Sequence, residues 1–387
     1  MEPLSVLFVS HDAYPHGAQN NLLTLTRWMK ERGLVKPRFV LAGPGDLTDE
    51  FLRVGPVFIY ERSRHKQLGT DSMVRILRSF CGSYLSLAYL NTVAAGDVIE
   101  VTRRLGVPQI AHIHELEKSI QRFAGAEKMS PLVAHTDMVI AASGPVADNL
   151  HERHGISRQR LRVVDSFIRC TGVRSVSNSE KRACKSALGL NPDTYLVLGC
   201  GTTDWRKGPD LFVEVAAALR QIGAQEVQFV WLGSETQPGQ VSELERLAHS
   251  LGVRKDVMFI GEVSTPLQFM LASDIFLLPS REDPFPLVCL ESADCGVPIV
   301  CFADTGGMPG FVGTRCGVVV PHLDVQAMAG ELRSLLNDET MRRQLGEQAR
   351  EKVRSELDVS VKGQEIYEIL RDVSQTCGAV ALEAGQA

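Results

Sequence analysis

Two carboxylates, Asp283 and Glu291, are separated by seven residues in the string PSREDPFPLVCLESADCGVPIVCFADTGGMPG, residues 279–310. An apolar strand ends at Ser280, an acidic and proline-rich loop follows, and a helix opening at Leu287 carries Glu291 two turns beyond Asp283. In open α/β sheets ligands sit outside the carboxyl ends of the strands, and a carboxylate there accepts the vicinal hydroxyls of a ribose. Upstream, Arg206 and Lys207 stand just before a helix that begins near Pro209. Cations beside a helix N-terminus suit a bound anion. His112 and His114 lie two apart on one strand, so both point to one face. A metal site needs at least one further ligand, and a core or strand-end histidine is the commoner outcome. Each of these features alone also reads as surface decoration or core.

The elements that must position them repeat a simple rhythm. LSVLFVS, residues 4–10, is a first strand, and NNLLTLTRWMKERG is an amphipathic helix with Gly33 at its end. PRFVLAG, PVFIY, SLAYLNT, PQIAHIH and MVIAAS follow as short apolar runs separated by helical segments, and YLVLGCG, VQFVWLG, VMFIG, IFLLPS and PIVCF restart the pattern. Such alternation means parallel βαβ units, and continuous Val/Ile/Leu runs mean strands covered on both faces. The polar stretch IRCTGVRSVSNSE, residues 168–180, reads as a linker. The expected architecture is therefore α/β, with two doubly wound Rossmann-like domains: 1–168, onto which a C-terminal helix at 361–375 packs back, and 176–360. The last residues, CGAVALEAGQA, are small and weakly patterned, and a frayed tail is expected.

Composition bounds the rest. The 387 residues are 44% hydrophobic and 22% charged, enough for a full core in each of two domains and far from disordered or collagen-like chains. A net charge of −5 argues against a dedicated nucleic-acid binder. Residues 1–165 carry 20 basic and 17 acidic side chains. That excess fits a domain facing anionic lipid or a phosphorylated acceptor, and equally an ordinary solvated surface. Nine cysteines with no C-x-x-C pair favour a reducing compartment. Leu4–Val9 is too short for a secretory leader, and no run of 18 apolar residues exists, so a cytoplasmic protein with at most peripheral membrane contact through its front half is expected.

Residues 279–310 resemble the signature of the retaining, nucleotide-sugar-dependent glycosyltransferases of the GT-B architecture, family four or "group 1". In that family two acidic residues with seven others between them precede Gly-Pro and Gly-Gly elements. The resemblance implies that Glu291 holds the donor ribose and that Glu282 or Asp283 lies near the donor sugar, Asp283 being in register and Glu282 one residue early. It places Phe285, Pro286, Leu287, Gly306 and Gly307 at the donor. LGCGTTDWRKGPDLFVEVA, residues 198–216, is similar to the family's Lys-Gly element, which makes Arg206 and Lys207 the diphosphate's partners. Gly201 stands where many relatives have arginine, and Gly310 where glutamate often follows proline. In SHDAYPHGAQNN, residues 10–21, Gly17 takes the place of the family's donor-facing glycine turn, preceded by His16 instead of a second glycine; no G-x-G-x-x-G occurs. His114 takes the place of the histidine beside the transferred sugar, and Asp12, His16 and Glu115 are candidates at the acceptor.

What this resemblance implies is transfer of a sugar from a UDP-, GDP- or TDP-sugar to a hydroxyl of a glycan, a lipid-linked saccharide or a small molecule. Retention is expected, across a cleft between the domains, with no metal and no permanently bound cofactor. Two other readings remain open: a nucleotide-sugar epimerase, and a nucleotide-binding partner without activity.

Overall fold

A computed structural model describes residues 2–384 apart from 83, 224 and 225. The chain divides into two compact units, Met1–Arg169 with Val359–Ala387, and Cys170–Asp358.

The first unit is built on seven parallel strands: β1 (Leu4–Ser10), β2 (Val35–Leu41), β3 (Val57–Ile59), β4 (Leu87–Asn91), β5 (Gln109–Ile113), β6 (Met138–Ala141) and β7 (Leu161–Val163), in spatial order β3-β2-β1-β4-β5-β6-β7. The apolar runs are continuous because both faces are covered. Along β1, Leu7 and Val9 join one core cluster while Val6 and Phe8 join the other, as the period of two requires. The first helix runs from Gly17 to Glu31, three residues earlier than its apolar periodicity announces. The terminal helix Val359–Ala384 belongs to this unit. Its Ile366, Tyr367 and Leu370 lie in one cluster with Leu22, Leu25 and Trp28, and Gly363 brings the two helices close, since a Cβ there would come within 2.8 Å of the Trp28 ring. The helix continues into the stretch expected to fray, of which 385–387 lie outside the described residues.

The second unit carries six parallel strands: β8 (Tyr195–Cys200), β9 (Val227–Leu232), β10 (Val257–Gly261), β11 (Ile275–Leu278), β12 (Ile299–Phe302) and β13 (Gly317–Val320), in order β10-β9-β8-β11-β12-β13. Phe212, Phe229 and Trp231 pack edge to face in its core.

Three local readings change. The linker's last residues begin a helix, Asn178–Ala187, closed by a capping box in which Ser177 and Glu180 exchange hydrogen bonds with each other's backbone. β7 is a strand that the apolar runs do not announce; at three residues it is too short to show alternation. β13, which the apolar runs do not announce, begins at Gly317, whose φ of +151° lets its backbone lie against Ile299 where a Cβ would meet the Ile299 carbonyl at 1.8 Å.

Candidate active site

Both sheets reverse direction once, between β1 and β4 in the first unit and between β8 and β11 in the second. At such a switch point the loops leaving the two neighbouring strands diverge, and ligands of doubly wound folds bind there. The residues singled out by chemistry lie on the loops that leave these strands or their immediate neighbours.

In the second unit, the loop after β8 is shaped by Asp204, whose carboxylate accepts the backbone N–H groups of Arg206 and Lys207 at 2.8 and 3.2 Å. Gly208 follows with φ +69° and its backbone against Pro279, where a Cβ would lie 2.1 Å from the carbonyl oxygen. The helix Pro209–Gln221 then starts. Lys207 Nζ reaches Asp283 Oδ2 at 2.6 Å, and Arg206 lies 3.5 Å from the other carboxylate oxygen while donating to the Glu282 carbonyl. Asp283 is buried, and Ser280 also donates to it. The loop carrying Asp283 is pinned to the loop after β12: Asp283 N–H donates to Thr305 O at 2.6 Å and Gly307 N–H to Pro284 O at 2.8 Å. Gly306, at φ +143°, is where a Cβ would strike the Asp283 carbonyl at 1.8 Å. Glu282 is half-buried.

Phe285 and Pro286 are buried ahead of the helix Leu287–Asp294. Glu291, on that helix, has a carboxylate with no hydrogen-bond or ion-pair partner among the described residues, and burial pushes its pKa above the usual value. It lies near enough to Cys200, at the end of β8, to help burial raise that thiol to about 12. A largely buried acceptor is thus left open beside a cation pair and a helix start, which is what a ribose diol and a diphosphate require together. Gly201 does not leave a vacancy where relatives hold arginine. A Cβ there would come within 3.0 Å of the Lys207 side chain, whose stem crosses that position.

In the first unit, His114 follows β5 and contacts Asn91 at the end of β4, Nε2 to Oδ1 at 3.0 Å. Asn91 spends its amide N–H on Ala18 O, so its oxygen accepts and His114 carries its proton on Nε2 with Nδ1 as a lone pair. Burial, with the nearby His11, lowers the pKa of His114 to about 3, so the ring is neutral at ordinary pH. His112 is core: its Nδ1 meets Tyr89 Oη at 2.5 Å, and its ring lies 4.0 Å from that of His114. Glu115 Oε2 accepts the backbone N–H groups of His114 and Val93 at 2.9 and 3.4 Å, and burial raises its pKa. Asp12 accepts from Tyr14 N–H at 3.1 Å and Gln19 Nε2 at 2.5 Å, with His11 Nε2 3.2 Å away. Burial opposes its ionisation, but His11, Tyr14 and Gln19 together hold its pKa below the ordinary value. Gly17 opens the first helix with nothing within 4 Å of where its Cβ would be, and His16 before it is exposed.

Four residues of this network escape a reading by motif. His11, Gln19, Asn91 and Thr92 hold the others in place. Thr92 adopts φ +73°, outside the range comfortable for a branched side chain, and its Oγ1 accepts Ala94 N–H and meets His11 Nδ1 at 3.0 Å. The polar pair Asn91-Thr92 closing an apolar strand is the one sequence signal that marks them. Among the described residues no group of three His, Cys, Asp or Glu side chains is arranged to hold a metal, and no helix is long and apolar enough to cross a membrane.

The family model for glycosyl transferases group 1 matches residues 180–352, and that for glycosyltransferase family 4 matches residues 15–171. A D-inositol 3-phosphate glycosyltransferase of Xylanimonas cellulosilytica is 32% identical over 238 residues, 59% of this chain and 55% of the relative, so the chain spans about half of that relative's length. The protein of the same name from Salinispora arenicola is 28% identical over 338 residues, 82% of this chain and 73% of the relative. Among solved structures, HepE of Anabaena, in complex with UDP and glucose, superposes with a TM-score of 0.81 over 95% of this chain and 100% of its own, at 19% identity. With both halves matched and the two parallel-sheet units in place, the chain belongs to the group 1 glycosyltransferases of GT-B architecture.

Proposed function

We propose that the protein transfers a sugar from a nucleoside diphosphate sugar to an acceptor hydroxyl, with retention at the anomeric carbon. The observation that carries this reading is the unpartnered, largely buried Glu291 beside the Lys207–Asp283 pair at the β8/β11 switch point. Glu291 accepts the ribose diol. Lys207 and Arg206 turn from Asp283 to the diphosphate, so the charge that develops on the leaving group meets cations already held in place. The backbone around Gly306 and Gly307, with Phe285, Pro286 and Leu287, frames the sugar, and Asp283 or Glu282 takes its hydroxyls. Gly17, at the start of the first helix of unit one, belongs to the donor-binding set.

His114, neutral and with Nδ1 open, accepts a hydrogen bond from the transferred sugar, while Asp12, His16 and Glu115 serve the acceptor. Glu291 is committed to the ribose and Asp283 is engaged by Lys207, Arg206 and Ser280, which favours same-face substitution in which the departing phosphate takes the acceptor's proton. The cations supply the compensation that a metal would otherwise give, so activity is expected to survive EDTA.

The test is direct. UDP, GDP and TDP are screened by thermal shift, a ligand at 100 times its dissociation constant stabilising by about 2.7 kcal/mol. Glu291→Ala is expected to abolish that shift. Lys207→Ala is expected to lower turnover at least tenfold, ~1.4 kcal/mol of barrier or more. Unchanged nucleotide binding and turnover in the two variants would remove the site.

A further inference from the structure

The relatives named above act on an inositol that bears a phosphate. We propose that the first unit of this protein instead takes an uncharged polyhydroxylated acceptor, of the class of free sugars and cyclitols, and discriminates against its phosphorylated counterpart. The inference rests on the glycosyl-transfer reading and specifies its acceptor.

Three observations carry it. The turns that leave β1, β2, β4 and β5, residues 11–16, 42–47, 92–98 and 114–116, contain no lysine or arginine; they hold Asp12, Asp46, Asp97 and Glu115 with three histidines, His11, His16 and His114. The mild basic excess of the first half is therefore not carried on these four turns. Second, a phosphate would dock on backbone N–H groups at a helix start, but those at the entrance to the short 3-10 helix Val93–Val98 are already taken: Val93 N–H by the Glu115 carboxylate, which also accepts His114 N–H, Ala94 N–H by Thr92 Oγ1 and Ala95 N–H by the Thr92 carbonyl. A phosphate placed there would face a carboxylate instead of a donor.

Third, the groups left over are acceptors. Gln19, fully buried, gives its Nε2 to Asp12 and His11 and leaves Oε1 with no partner. His114 offers the lone pair of Nδ1, and Asp12 keeps a side-chain exposure of 22%. Hydroxyl groups donate to such atoms, whereas a phosphate dianion brings only further acceptors and like charge. His114, buried and neutral, adds no positive charge of its own at the end of β5.

The experiment uses the full chain with UDP-glucose, UDP-N-acetylglucosamine and GDP-mannose as donors. Acceptors are offered as matched pairs: myo-inositol and inositol 3-phosphate, glucose and glucose 6-phosphate, fructose and fructose 6-phosphate. In the best-used pair the neutral member is expected to have the higher kcat/KM, by about tenfold. Glu115→Gln and Asp12→Asn are expected to narrow that ratio, and two variants guard against one failing to fold. A ratio of one or less, transfer to none of the neutral members, or a ratio unmoved in both folded variants would overturn the proposal. Nucleotide thermal shifts on the same preparations separate it from the donor reading. A shift without transfer to any neutral member sinks the acceptor class alone, and no shift with any nucleotide sinks the donor site.

Discussion

Lys207 and His114 are prepared in opposite ways. Lys207 is held in an ion pair, its Nζ 2.6 Å from Asp283. His114 loses its charge because burial and a neighbouring imidazole disfavour protonation, and His112 is pushed well below its ordinary value chiefly by burial. Both histidines therefore bind fewer protons folded than unfolded at acidic pH. The sign follows from linkage: stability is full above the unfolded value near 6.5 and is lost as pH falls towards the folded one, at up to roughly 1.4 kcal/mol per pH unit per histidine. Urea unfolding is expected to show the midpoint of the first unit falling between pH 7.5 and pH 5.5. In His112→Phe the slope with pH is expected to be shallower, whatever the variant's absolute stability.

At the scale of elements, the second-unit loops are held by backbone contacts as well as by side chains. The loop after β11 pairs with the loop after β12 through an isolated parallel bridge between Asp283 and Gly306, and the loop after β8 leans on Pro279 through Gly208. A side chain at Gly306 would meet the Asp283 carbonyl at 1.8 Å on a backbone at φ +143°. Gly306→Ala is expected to cost about 1–3 kcal/mol and to displace Asp283, and with it Lys207. Denaturant unfolding and nucleotide affinity measured on the same variant check it: a stability loss with unchanged affinity would show that the bridge does not position the cations. The sequence reveals these glycines as a Gly-Gly element, but only the fold shows that Gly306 serves a close approach of two loops.

For the molecule as a whole, the chain leaves the first unit at Arg169 and returns to it at Val359. The returning helix supplies Ile366, Tyr367 and Leu370 to the core that contains Trp28, so the first unit is completed by a segment that follows the second unit in the chain. Truncating fully buried Ile366 to Ala is expected to cost about 2–5 kcal/mol. Calorimetry should show that cost in the transition of the first unit, with the transition of the second, whose core is separate, left in place. A shared shift of both transitions would show that the units unfold as one.

Alternation of apolar runs and helical segments was enough to read two parallel-sheet units, because buried strands must be continuously apolar and crossover helices amphipathic. The spacing of Asp283 and Glu291, and Arg206-Lys207 ahead of a helix, marked the second-unit loops for the same local reason. What sequence could not supply was proximity. That Asp283 pairs with Lys207, 76 positions away, that Gly201 is crossed by a lysine stem, and that His114 is held by Asn91 and kept neutral all depend on which strands lie side by side. Strand order is a property of the closed sheet, set by the summed burial of many side chains, and no short stretch of chain contains it.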